Sequence, residues 1–291
     1  MDKLVKALSS KTNIRFAVVD VTMAAKALEA RHLCGPTAGM ALAEGLVAVA
    51  LLAMDASQDD EAMMLRVNTN GPIGGMMVEA LGDGGLRGFT NTKVMNDLDV
   101  LDVISTDDAW GSSGSIQIMK SVPGKILSQA ALNVNPPNMK FVLARYFNHS
   151  VQIPTACEIS VKADSGGLIQ ARGILAQRMD DSDMEAFVRV LEKFDGDEVF
   201  EKLIVTDDLS EFQELFGISD IEIRETRKLM FKCRCTKERT LAVLKTFKKE
   251  ELETIRDSEK PQNIICHMCG DSYSAMPEDV QKIIDEIETR G

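Results

Sequence analysis

The sequence lacks a hydrophobic run long enough to cross a bilayer. Its most apolar stretch, residues 36–54 (PTAGMALAEGLVAVALLAM), is rich in Ala and Gly and is interrupted by Glu44, so it reads as a buried core helix. The first twenty residues lack the apolar centre of a secretory signal, and we expect a cytoplasmic protein without membrane association. Basic residues are in deficit: 33 Lys and Arg stand against 45 Asp and Glu, for a net charge of −12. Phosphate neutralisation dominates nucleic-acid affinity, so this balance argues against a nucleic-acid partner. The glycine-rich pieces NGPIGG and GDGGLRG contain neither G-x-G-x-x-G nor the P-loop pattern, and Pro123-Gly124-Lys125 lacks the upstream glycine and the following hydroxyl residue. These glycines read as turns, not nucleotide cradles. Aromatic residues are scarce at 5%, with Trp110 the one tryptophan, whereas Met is plentiful at 16. Most of those methionines read as flexible core filler.

What is present fits a globular chain of 291 residues, 45% hydrophobic and 27% charged. Residues 13–22 (NIRFAVVDVT) have the β-branched character of a strand. Residues 23–33 and 36–54 read as helices separated by the break at Cys34-Gly35-Pro36. Strand-like runs follow at 62–68, 76–80, 86–90, 115–120 and 157–163, with a helix at 139–147. This order predicts an α+β class with antiparallel sheets. Composition shifts near Met179: residues 180–225 hold 16 acidic and 4 basic side chains, which accounts for the whole net charge. Within that segment Ser182 and Glu185 form a capping-box pattern, followed at helical spacing by Met184, Phe187, Val188 and Leu191. Further apolar sets (Val199, Phe200, Leu203, Ile204; then Phe212, Leu215, Phe216) end at Gly and Asp turns. Helices this short need a docking surface. We therefore expect an N-terminal α+β core domain at 1–178, an acidic helical linker at 179–230, and a small C-terminal zinc-binding domain at 231–291.

The tail supplies the chemistry. Cys233 and Cys235 form C-x-C, and Cys266 and Cys269 form C-x-x-C thirty residues on. Four sulfurs satisfy tetrahedral zinc and leave no open position, which argues against zinc hydrolysis and against an enzyme of that kind. Redox and iron–sulfur chemistry are the other main uses of clustered thiols. An extended C-x-C places its Cα atoms about 7 Å apart, beyond disulfide geometry. Zinc-bound and disulfide states therefore need different local backbones, as a switch requires. Lys232, Arg234, Lys237 and Arg239 flank the first pair, and such positive charge favours thiolate. His267 lies inside the C-x-x-C but is surplus to four sulfurs. His32, His149, Cys34 and Cys157 have no motif partner.

Taken together, Cys233-Arg234-Cys235-Thr236-Lys237-Glu238-Arg239, Cys266-His267-Met268-Cys269, Tyr273, NGPIGGMMVEA and Arg87-Gly88 resemble the redox-regulated heat-shock chaperonin family, the 33 kDa chaperonins. Tyr146-Phe147, Pro154-Thr155 and the run from Gly166 through Gln170 extend the resemblance to nearly the whole chain. Val151 and Met268 depart from the usual family residues. The resemblance implies an ATP-independent holdase, not an enzyme, that is inactive while Cys233, Cys235, Cys266 and Cys269 hold one zinc. It implies that oxidation forms Cys233–Cys235 and Cys266–Cys269 disulfides, releases zinc, unfolds the linker and exposes surface to unfolding client proteins. It also implies a homodimeric active form. Two other classes compete: a constitutive structural-zinc adaptor, which would keep its metal under peroxide, and a thiol oxidoreductase acting through Cys266 and Cys269, which would never hold one.

Overall fold

The computed structural model describes residues 1–101 and 103–290. It divides into two compact units, Met1–Lys232 and Cys233–Gly291, each taken here by itself.

In the first unit, strands β1 (Lys3–Ser9) and β2 (Ile14–Asp20) form a hairpin, followed by helices α1 (Thr22–His32) and α2 (Pro36–Leu52). Asp2 starts α1 by accepting the Met23 and Ala24 amides at 2.9 and 2.7 Å, which satisfies two amides that no helical carbonyl can reach. Then come β3 (Ala62–Thr69), β4 (Gly75–Leu81), β5 (Gly85–Thr90), β6 (Gly114–Val122), β7 (Lys125–Val134), α3 (Met139–Arg145), β8 (Thr155–Asp164) and β9 (Gly167–Arg178). The expected antiparallel sheets are found. One has the order β3 between β4 and β6, with β5 beyond β4 and β7 beyond β6. The other places β1, β2, β9 and β8 side by side.

Helix α2 packs against both sheets and is buried around nearly its whole circumference. That explains why its sequence is apolar on every face. Close approach needs small residues: a Cβ on Gly45 would sit 2.3 Å from Met76 Cε, and one on Gly173 would sit 2.4 Å from Val47 Cγ1.

The acidic segment forms α4 (Met184–Asp195), α5 (Glu198–Val205) and α6 (Phe212–Phe216), then strand β10 (Ile221–Lys228). The strand corrects the expectation of a wholly helical stretch. Its charged residues (IEIRETRK) obscure the pattern, yet β10 pairs antiparallel with β1, for example Lys6 with Glu225. Capping also differs: Asp183, not Ser182, accepts the Ala186 amide at 3.0 Å, and Ser182 Oγ is buried without a protein partner. The buried stripe of α4 is Ala186, Phe187, Val190 and Phe194, while Met184 and Val188 are exposed. These helices share a second apolar core with Val5, Phe16, Val18 and Ile174 of the sheet. Phe216 stacks on Phe16, Phe194 and Phe212 with ring centroids 5.3, 5.8 and 5.8 Å apart.

The unit closes with β11 (Met230–Phe231), which pairs parallel with β5. Arg31 lies over the Phe231 ring at 4.7 Å, and Lys232 pairs with Asp83. The chain is thus tied down immediately before Cys233.

The second unit contains α7 (Lys237–Leu241), α8 (Lys249–Asp257), the hairpin β12 (Gln262–Ile265) and β13 (Ser272–Ala275), and α9 (Pro277–Arg290). Among the described residues, its apolar core comprises Leu241, Leu244, Leu252, Ala275, Val280, Ile283 and Ile284, with Ile255, Ile264 and Ile287 partly buried against them. No described helix is long and apolar enough to cross a membrane.

Candidate metal centre

The four tail cysteines converge. Among the described residues, Cys233, Cys235, Cys266 and Cys269 form a cluster whose sulfurs all lie within 4.8 Å of one another. Cys233 Sγ and Cys266 Sγ are 3.9 Å apart, and Cys235 Sγ and Cys269 Sγ 3.4 Å. Four zinc–thiolate bonds of about 2.3 Å in tetrahedral array put sulfurs about 3.8 Å apart, so the donor set fits a zinc ion in number, type and spacing.

Local backbone chemistry explains the convergence. The β12–β13 hairpin turns at Cys266-His267-Met268-Cys269-Gly270. The Cys266 amide donates to the Asp271 carbonyl at 2.8 Å, and the Cys269 and Gly270 amides donate to the Cys266 carbonyl at 3.3 and 2.8 Å. Gly270 has φ +77°, a conformation that glycine adopts without strain. The turn therefore aims both of its thiols to one side. After the C-x-C, Thr236 caps α7 by accepting the Arg239 amide at 3.2 Å, which ends the extended run and leaves Cys233 and Cys235 facing the hairpin thiols.

Burial pushes the Cys266 thiol up, and negative charge on Cys233 and Cys235 adds to the rise. Burial also pushes Cys269 up, with the three neighbouring sulfurs contributing. The basic side chains that flank the first pair have partners of their own. Lys237 pairs with Asp279 at 2.7 Å, and Arg239 Nη1 donates to the Arg234 carbonyl at 2.9 Å. A shared cation is the physical means by which four crowded thiols can all ionise.

Tyr273 carried no role in the sequence beyond its place in the family pattern. Its hydroxyl lies 3.2 Å from Cys235 Sγ. The alternation of β13 places it there, but that direction was not legible before the β12–β13 register was known.

The remaining candidates stay apart. His267 is exposed and lies outside the sulfur cluster. Cys157 is buried on β8, its thiol pushed up to about 12 by burial, with Sγ 3.3 Å from the Lys140 carbonyl. Cys34 is half-buried, and burial raises its thiol too. His32 Nε2 lies 2.9 Å from the Gly88 carbonyl, and His149 is exposed in the turn after α3.

Fold and site together define an α+β protein bearing a separate four-cysteine module. The family model described as Hsp33 protein matches residues 2–276. Similar proteins include the 33 kDa chaperonin of Trichodesmium erythraeum, 28% identical over 99% of this chain and 94% of the relative. The 33 kDa chaperonin of Bacillus cytotoxicus is 26% identical over 98% of this chain and 99% of its own. The crystal structure of the 33 kDa chaperonin (heat shock protein 33 homolog) from Thermotoga maritima shares the fold, with a TM-score of 0.86 at 22% identity, covering 100% of this chain and 99% of that one. The chain belongs to the Hsp33 family, whose named members here are chaperonins.

Proposed function

We propose that this chain is a redox-regulated, ATP-independent holdase of the cytoplasm that binds unfolding client proteins after oxidation. The observation that carries the proposal is the meeting of four sulfurs within 4.8 Å in a unit whose core, among the described residues, is seven buried apolar side chains with three isoleucines partly buried against them. Such a core is too small to fold firmly alone. One zinc held by Cys233, Cys235, Cys266 and Cys269 would supply on the order of 10 kcal/mol of folding free energy.

Oxidation would remove that support. Each pair of thiolates would give up two electrons to one hydrogen peroxide, which takes two protons from solvent, so that one S–S bond and two waters form as the O–O bond breaks. Disulfide sulfur is no longer a thiolate ligand, so metal is released. Family resemblance implies Cys233–Cys235 and Cys266–Cys269. The sulfur spacings also leave Cys233–Cys266 and Cys235–Cys269 within reach, so the pairing is a point for peptide mapping. Unfolding of the zinc unit would reach the proposed linker, residues 179–230, along the chain, by freeing β11 and Lys232 from β5 and Asp83. The linker's release would bare Phe187, Phe212 and Phe216 together with the sheet face that they cover. Dimerisation of the oxidised form is part of this reading.

The test is suppression of aggregation of a chemically denatured client, with zinc release followed by a chromogenic chelator. Oxidised protein should suppress aggregation and have lost one zinc per chain, and reduced protein should do neither. Zinc retained after peroxide, with no change in client binding, would leave a constitutive structural-zinc adaptor instead.

A further inference from the structure

A second site lies in the first unit, remote in sequence from the cysteines. A cavity of about 400 Å³ opens where the acidic segment joins the β1–β2 hairpin, within the range of ~300–1,000 Å³ that small-molecule sites occupy. Three cations line it: Lys6, Arg15 and Arg224. Its apolar lining is Ala7, Leu8 and Met179. In a chain of net charge −12, three convergent cations beside an apolar floor are a specific arrangement.

Arg224 reaches the cavity through a bulge. Lys6 faces Glu225 and Ala7 faces Ile223, so Arg224 is the extra residue of β10. Bulges re-aim side chains in this way. Each cation has protein partners. Lys6 Nζ holds Glu225 at 2.6 Å. Arg15 holds Asp55 through Nη1 at 3.0 Å and Gln177 through Nε and Nη2. Arg224 Nη2 reaches Ser10 Oγ at 3.0 Å and Glu222 at 2.9 Å. A guanidinium offers five donors and an ammonium three, so N–H groups remain for a ligand. Asp180 is the one acidic residue of the lining, and its carbonyl is engaged by Asn13 Nδ2.

We infer that this cavity binds a small organic anion, with a phosphate or carboxylate held by Arg224, Lys6 and Arg15 and a short apolar body against Leu8 and Met179. Met179 and Asp180 open the acidic segment, Arg224 lies near its end, and Lys6 and Arg15 belong to the sheet. One ligand therefore contacts both ends of the segment and the surface on which it docks, and favours the docked state by mass action. The binding site stands independently of the redox proposal; only its effect on chaperone activation rests on that reading.

Calorimetric titration of the reduced, zinc-loaded chain with phenyl phosphate, inorganic phosphate and benzyl alcohol tests it. Phenyl phosphate should bind one per chain, roughly tenfold or more tighter than either fragment, and more weakly as salt rises. Arg224→Gln should weaken it about tenfold, the scale of one charge-assisted contact. Bound phenyl phosphate should also slow hydrogen exchange across 180–225. Equal binding of benzyl alcohol and phenyl phosphate by the unaltered chain, or absence of phenyl phosphate binding, overturns the site. So does a folded Arg224→Gln variant with unchanged affinity.

Discussion

Glu44 is the one charged residue of α2, and its surroundings make it a pH-responsive point. Its carboxylate accepts Thr106 Oγ1 at 2.7 Å and Trp110 Nε1 at 3.1 Å, while burial pushes its pKa up to about 7. The folded form thus holds the proton more tightly than the unfolded chain, whose value is about 4.3. The stabilisation from that proton is full below about pH 4.3 and is lost as pH rises through 7, a decline on the order of 3 kcal/mol. Urea unfolding followed by Trp110 fluorescence should show this decline, and Glu44→Gln should flatten it. An unchanged slope in the variant would remove Glu44 as its source. At the cysteines, Cys→Ser at 233, 235, 266 or 269 should weaken or abolish zinc binding in metal analysis, whereas Cys34→Ser and Cys157→Ser should bind normally. Full retention in Cys266→Ser would strike that residue from the site. The sulfur cluster was legible in the sequence because ligand type and short-range spacing define it. The partners of Glu44 were not, because they lie 62 and 66 residues away and only the fold brings them together.

At the scale of elements, the acidic segment shows which signals survive in sequence. Its helices were visible through apolar spacing, but their phase was not. Met184 and Val188 fit a helical stripe as well as Val190 and Phe194 do, and the sheet they meet decides which set is buried. Strand β10 was missed because its partner β1 begins more than two hundred residues earlier, and an edge strand can carry charge freely. The segment's stability rests on Phe216, the centre of four stacked rings. Phe216→Ala should cost about 3–5 kcal/mol of docking and raise hydrogen exchange across 184–218 even in reduced, zinc-loaded protein. Asp183→Ala should cost about 1 kcal/mol through the lost cap, with Ser182→Ala near neutral. The reverse order between Asp183 and Ser182 would return the cap to Ser182.

Over the whole molecule, charge and thiols are segregated along the chain. Residues 180–225 carry the entire net charge of −12, and the four clustered cysteines lie beyond Lys232. That segregation suggested three parts in the sequence; the structure divides into two compact units, with the acidic segment inside the first. The segment docks on the first unit's sheet, through the Phe16 core and the β1–β10 ladder. On the proposed reading, loss of zinc from the second unit reaches this segment along the chain at β11 and β10, and that coupling is the central claim. Hydrogen exchange by mass spectrometry on reduced, zinc-loaded protein and on peroxide-oxidised protein tests it most directly. Oxidation should raise exchange across 233–291 and across 180–225, while 14–20 in the sheet and 36–52 in α2 stay protected. Identical exchange of 180–225 in both states, with 233–291 unfolded in the oxidised one, would contradict the coupling and confine the switch to the cysteine unit.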